Sequence, residues 1–195
     1  LEDATINKEY LQRAEKSVDR MISIIDDLEA ISQLEAGQLE LELEKFDLVP
    51  LVKEIFEAQE MKASSKKILL RLKEDNDKPI LVFADRFRIR QVLTNLIVNS
   101  VNYGKIDGET HVKFYDTGEN ITVEIADNGI GIGKEHLPRI FERFYRADKS
   151  RSRGQGGTGL GLAIVKHIIE AHSQTINVMS TEGAGSVFSF TLKKG

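Results

Sequence analysis

The chain has 195 residues, 41% hydrophobic and 30% charged, enough apolar side chain for a core and enough charge for a solvated surface, which excludes a disordered chain and a membrane span. Lys+Arg 27 against Asp+Glu 31 give a net charge of −4, so no cationic excess drives binding to a nucleic-acid backbone, and nucleic acid is not expected as a partner. Cys 0 removes disulfides and thiolate metal sites, and fits a reducing cytosol.

The length predicts one domain, or one domain with an appendage. The chain opens at Leu1 rather than Met, which predicts a piece of something longer. From Lys8 to Ala36, residues Leu11, Ala14, Val18, Met21, Ile25 and Leu28 recur three and four apart, a heptad seam on one helical face. Ile22, Ile24, Ile31 and Leu34 widen the stripe, as in a helix packed on several neighbours. The pattern is either a surface helix of one globular domain or half of a helical hairpin. The hairpin is favoured because so long a stripe needs more partners than the next segment supplies.

Gly37 can cap that helix, and Leu39, Leu41 and Leu43 then alternate with Glu40, Glu42 and Glu44, which predicts a strand with one wet face. Asp47 can cap a helix with Pro50 in its first turn and Leu51, Val52, Ile55, Phe56 and Ala58 on its apolar face. Strands are predicted at Ile68 to Leu72, Ile80 to Phe83, His111 to Tyr115, Ile121 to Ala126, Thr175 to Ser180 and Ser186 to Leu192, and helices from Asp85 to Tyr103 and from Thr158 to His172. From Leu39 onward this is an α+β arrangement, a mixed sheet with helices on one face.

Four features carry chemistry. On the helix from Asp85, residues Ile89, Val92, Leu93, Leu96, Ile97 and Val101 form a core face, and Asn95, Asn99 and Asn102 lie at i, i+4, i+7 on another. Asparagine is a poor helix former, and Lys, Glu or Gln would solvate the same face at lower cost. The row is either scattered surface polarity or a set of amide oxygens for a hard cation such as Mg²⁺, which takes phosphate oxygens as further ligands. Asp127 at a strand end, followed by Gly129, Gly131 and Gly133, is either a plain turn or one fixed acceptor beside a backbone that a flat group can approach.

The stretch Lys134 to Arg153 carries Arg139, Arg143, Arg146, Lys149, Arg151 and Arg153 with Phe141 and Phe144, a basic loop that reads as a solvated segment or as a lid with apolar anchors. Gly154, Gly156, Gly157, Gly159 and Gly161 then run into a helix near Thr158. Glycines in a first helical turn cost roughly 1 kcal/mol each relative to Ala, a placement that suits close approach of backbone N–H groups to phosphate. No Lys-Ser/Thr pair follows them, so this is not a Walker A loop.

In this order and spacing the four features resemble the N, G1, F and G2 boxes of the sensor histidine kinases of two-component systems, over Leu39 to Leu192. The resemblance implies a Bergerat-type two-layer α/β sandwich, the fold also found in Hsp90, type II topoisomerases and MutL. It implies residues 1–37 as the second helix of the dimerisation and histidine-phosphotransfer domain, with the acceptor helix absent, and 38–195 as the ATP-binding catalytic domain. Asn99 is then implied to coordinate Mg²⁺, with Asn95 supporting triphosphate and metal, and Tyr103 packing on the nucleotide. Asp127 would accept from the adenine amine while Gly129 and Gly131 admit the base, and Phe141 and Phe144 would anchor the lid. Arg146 and Lys149 would meet phosphates, with Gly157, Thr158, Gly159, Leu160 and Gly161 shaping the phosphate end. Asn95, Asn99 and Arg146 would be the catalytic set.

Implied partners are a response-regulator receiver domain and a second copy of the intact protein, in a cytoplasmic protein or the cytosolic part of a membrane-anchored sensor. The sequence departs from the family at Asn102, where a basic residue usually helps to bind phosphate, at Gly104, and at His172-Ser173-Gln174 in place of a His-Gly-Gly turn. Neither His111, His136, His167 nor His172 matches the acceptor position; they read as surface or packing residues, and His172, near a helix C-terminus, would gain from the dipole when protonated. Two other readings stay open: a degenerate kinase that docks as a nucleotide-binding module, and an ATPase of the chaperone or topoisomerase type.

Overall fold

A computed structural model describes residues 40–72, 78–147 and 158–195, with scattered positions between 10 and 32. Those scattered positions are helical, and their apolar residues, among them Leu11, Val18, Met21 and Ile25, are exposed.

The chain continues through β1 (Leu43–Asp47), α1 (Leu48–Ser65), β2 (Leu69–Leu72), β3 (Leu81–Asp85), α2 (Arg86–Tyr103), β4 (Glu109–Asp116) and β5 (Asn120–Asp127). A short 3-10 turn at Leu137–Arg139 precedes α3 (Gly161–Ala171), β6 (Ile176–Thr181) and β7 (Gly185–Lys193). Five strands form one mixed sheet in the order β2-β4-β5-β7-β6, with β2 and β4 parallel and the other pairs antiparallel. β1 and β3 form a separate antiparallel pair, joined to the end of β7 by a bridge from Val82 to Lys194.

Each boundary has a local cause. Asp47 accepts the N–H of Val49 at 3.0 Å and that of Ile80 at 2.9 Å, so one carboxylate caps α1 and pins the approach to β3. Asp85 caps α2 by accepting from Arg88 N–H at 3.0 Å. The core face predicted for α2 is buried throughout: Ile89, Val92, Leu93 and Ile97 are wholly inaccessible. They join Ile164, Val165 and Ile168 of α3 and Val112, Val123, Ile125 and Phe190 of the sheet in a single core. Burying each such side chain contributes on the order of 1.5–3 kcal/mol against the entropy of ordering the chain.

Two expectations are corrected. The strand expected from the Leu39, Leu41, Leu43 alternation begins only at Leu43, and Phe46 is its buried residue. Its partner β3 ends at Asp85, the α2 cap, so Glu42 N–H meets the Asp85 side chain at 3.2 Å instead of a strand carbonyl. The helix expected from Thr158 begins at Gly161, because Gly159 turns with φ +77 and Thr158 uses its hydroxyl to accept Leu160 N–H at 3.1 Å.

Candidate functional site

A cavity of about 430 Å³ opens between α2, the ends of β5 and β7, and the segment leading into α3. The α2 wall presents Asn95, Asn99, Asn102 and Tyr103. Asn95 donates its amide N–H to the Gly161 carbonyl at 3.3 Å, which orients the side chain and ties the middle of α2 to the start of α3.

Asp127 closes one end of the cavity, opposite Ser186 across the β5–β7 ladder. Ile125, Ile130, Ile132 and Phe188 line the same cavity, so its one carboxylate among the described residues shares an apolar slot with them. Burial raises its pKa, and the backbone N–H groups of Gly129 and Ser186, with the charge of Lys105, partly oppose the rise. The Gly129 N–H donates to Asp127 Oδ1 at 2.8 Å. The loop that follows is held from two sides: Ile130 N–H donates to the Tyr103 carbonyl at 3.1 Å, and Ile132 N–H donates to Ser180 Oγ at 2.8 Å. Gly131 has φ +69, and a Cβ there would collide with the Thr181 carbonyl, so both conformation and space require glycine.

On the α3 side, Arg146, Thr158, Gly159 and Gly161 line the cavity. Gly159 lies against the backbone of Phe144, whose N–H donates to the Gly159 carbonyl at 2.9 Å. Phe141 packs on the core, whereas Phe144 is 59% exposed with φ 60, so it is held here by its backbone and not by its ring. Arg139 is engaged locally, in an ion pair with Glu142 at 2.9 Å and 4.3 Å over the Tyr145 ring, and does not line the cavity. Tyr145 does line it, with its hydroxyl 2.7 Å from His136 Nδ1.

Of the residues named from sequence, Asn95, Asn99, Tyr103, Asp127, Gly131, Arg146, Thr158, Gly159 and Gly161 therefore share one cavity. Gly129 supports it from behind, with the Tyr103 carbonyl 2.5 Å from where a Cβ would sit, and Leu160 belongs to the core. Lys149 and Gly157, with Arg151, Arg153, Gly154 and Gly156, lie outside the described residues. Sequence reasoning missed Lys62, Ile130, Ile132, Tyr145, Ser186 and Phe188. The two isoleucines alternate with the loop glycines and could have been read as the walls of the slot; the others carry no sequence signal, because their neighbours are distant in the chain.

The donor set discriminates among cations. Among the described residues no group of three or more His, Cys, Asp or Glu could hold a metal ion. The amides on α2 are neutral, so a hard cation here would have to bring its own anionic ligands, as Mg²⁺ does with phosphate oxygens.

Mixed sheet, covering helices and a cavity between α2 and the glycine turns define a Bergerat-type ATPase domain. Residues 84–195 match the family of histidine kinase-, DNA gyrase B- and HSP90-like ATPases. The sensor protein kinase WalK of Staphylococcus aureus is 35% identical over 192 residues, 97% of this chain and 46% of that protein. Full-length ShkA in complex with AMPPNP is 27% identical with a TM-score of 0.83, over 96% of this chain and 39% of that one. The histidine kinase ThkA in complex with the response regulator protein TrrA is 26% identical with a TM-score of 0.74, over 100% of this chain and 53% of that one. The chain belongs to this ATPase family, as the catalytic domain of a sensor histidine kinase. It spans less than half the length of WalK.

Proposed function

We propose that the cavity binds ATP with Mg²⁺ and presents the γ-phosphoryl group to a histidine on a helix outside this chain, for relay to an aspartate of a response regulator. The observation that carries this reading is that one half-buried carboxylate, Asp127, and a row of neutral amides on α2 line the same cavity beside apolar side chains. The carboxylate selects a flat ring bearing an amine, and the amides suit a cation that arrives with its phosphates. In this reading Asp127 accepts from the adenine amine, Asn99 holds the metal with Asn95 beside it, and Tyr103 packs on the nucleotide. Arg146 meets the phosphates, and Mg²⁺ neutralises charge on them when bound. The chain's part in transfer is to position the phosphoryl group and balance its charge.

ShkA was solved with AMPPNP and ThkA with a response regulator, which supports both ligand and partner. We read residues 1–37 as the second helix of a dimerisation hairpin and 38–195 as the catalytic domain, in a protein that dimerises through the completed hairpin. Calorimetric titration with a non-hydrolysable ATP analogue tests the site. Binding that needs Mg²⁺ and is lost in Asp127→Asn and Asn99→Ala is expected, and binding indifferent to both substitutions overturns the assignment. Asn102 favours a second reading, a nucleotide-dependent docking module without transfer. Adding the acceptor helix in trans and following label from γ-labelled ATP separates the two, since transfer to its histidine excludes the module.

A further inference from the structure

Asn95, Asn99 and Asn102 leave the α2 wall of the cavity without charge, and the cationic residues among its described lining are Lys62 and Arg146. Lys62 comes from the last turn of α1, an element that contributes no other described lining residue. Its carbonyl accepts from Ser65 Oγ at 2.7 Å, while its ammonium has no hydrogen bond or ion pair with any described residue. One turn further on, Lys66 is fully engaged, donating from Nζ to the carbonyls of Val101 at 2.9 Å and Asn102 at 2.6 Å. Lys66 thus seals the C-terminal end of α2 and fixes α1 against it. Burial, and then the positive charge of Lys62, lower the Lys66 pKa. Two lysines four apart on one helix face repel each other, and one of them points into a cavity with a net-anionic ligand in prospect.

Granting the nucleotide reading above, we propose that Lys62 is a phosphate-binding cation of this site, supplying from α1 the charge that Asn102 does not supply from α2. A triphosphate with its metal remains a net anion, and an ammonium that gives a charge-assisted hydrogen bond to a terminal phosphate oxygen both binds it and relieves the repulsion from Lys66. Lysine suits the task because its contact with phosphate is that of a point charge on a flexible stem, able to reach across from a neighbouring helix. The plain alternative is a solvated lysine that complements the C-terminal end of α1, and it makes a different prediction.

The test is calorimetric titration of the whole chain with adenosine, ADP and a non-hydrolysable ATP analogue, the last two with Mg²⁺. Lys62→Gln is expected to weaken the ATP analogue about tenfold or more, ADP less, and adenosine not at all. Lys62→Arg should keep most of the affinity, and Asn102→Lys added to Lys62→Gln should restore it by returning a cation to the same wall. Unchanged affinity for the ATP analogue in Lys62→Gln overturns the proposal and leaves the nucleotide site standing. Equal losses for all three ligands show a structural role and overturn it too. If the unmodified chain binds none of the three, the nucleotide reading itself falls, and this proposal with it.

Discussion

The backbone N–H of Asp85 donates to Nε2 of His172 at 3.0 Å, while Nδ1 of the same ring lies 2.8 Å from the Ile168 carbonyl. Nε2 is thus the accepting nitrogen, which leaves Nδ1 to carry the hydrogen toward the Ile168 carbonyl. This gives His172 the packing role read from the sequence, through a hydrogen bond between elements. Because Asp85 also caps α2 and accepts from Glu42 N–H, the ring joins the end of α3 to the start of α2 and to the residues just before β1. His172→Ala leaves the Asp85 N–H unpaired, at a cost of about 1–3 kcal/mol. A lower urea midpoint together with faster hydrogen exchange at the Asp85 amide is expected. Nitrogen chemical shifts of His172 showing the hydrogen on Nε2 would refute the assignment.

Asp127 sets function against stability. Burial raises its pKa in the folded chain above an unfolded value of about 3.9. Its stabilising contribution is then full below the unfolded value and lost as pH rises through the folded one, so at neutral pH the charge is a burden on the fold. Asp127→Asn is expected to raise Tm while removing nucleotide binding, and the gain in Tm over the unmodified chain should be larger at pH 7.5 than at pH 4. A gain that does not grow with pH would show that desolvation is not the dominant effect at this carboxylate.

Gly131 and Gly118 both have positive φ, +69 and +91, but a Cβ at Gly118 meets nothing within 4 Å, whereas at Gly131 it strikes the Thr181 carbonyl. Gly118→Ala should cost about 1 kcal/mol, from backbone conformation alone. Gly131→Ala should cost clearly more and displace the loop that walls the cavity. Urea denaturation of the two variants measures the difference, and equal losses would place the cost in the conformation alone.

The hydroxyl of Thr110 donates to Ser100 Oγ at 3.0 Å, and Ser100 Oγ donates to the Ile97 carbonyl at 2.8 Å, all within the buried junction of α2 and β4. Ser100→Ala leaves the Thr110 hydroxyl without a partner and should cost about 1–3 kcal/mol. Adding Thr110→Val removes the orphaned group, so the double variant should recover part of the loss. Additive losses would mean that the two hydroxyls do not act as a pair.

The elements of this chain were legible because each is specified locally. The α2 core face follows from 3.6-residue periodicity, the Asp47 and Asp85 caps from side chains two and three residues from their donors, and β5 from strict alternation. The candidate site was legible for the same reason: Asn95, Asn99 and Asn102 mark one face of one helix, and Asp127 and Gly131 share one turn. What the sequence left open depended on pairing across the chain. The strand at Leu43 starts where it does because its partner β3 ends at Asp85, far along the chain. Alternation by itself could not supply that register.

Function-bearing contacts divide in the same way. Residue types and their spacing along α2, β5 and the glycine turns were enough to single out residues that line one cavity, because each stretch is contiguous. That Lys62 enters the same cavity, that Arg139 is engaged by Glu142 and Tyr145, and that His172 is an acceptor for Asp85 are decisions of the tertiary fold. A side chain's charge is written in the sequence. Whether that charge is available depends on which neighbours the fold brings within hydrogen-bond reach, and those neighbours come from elements that local pattern does not connect.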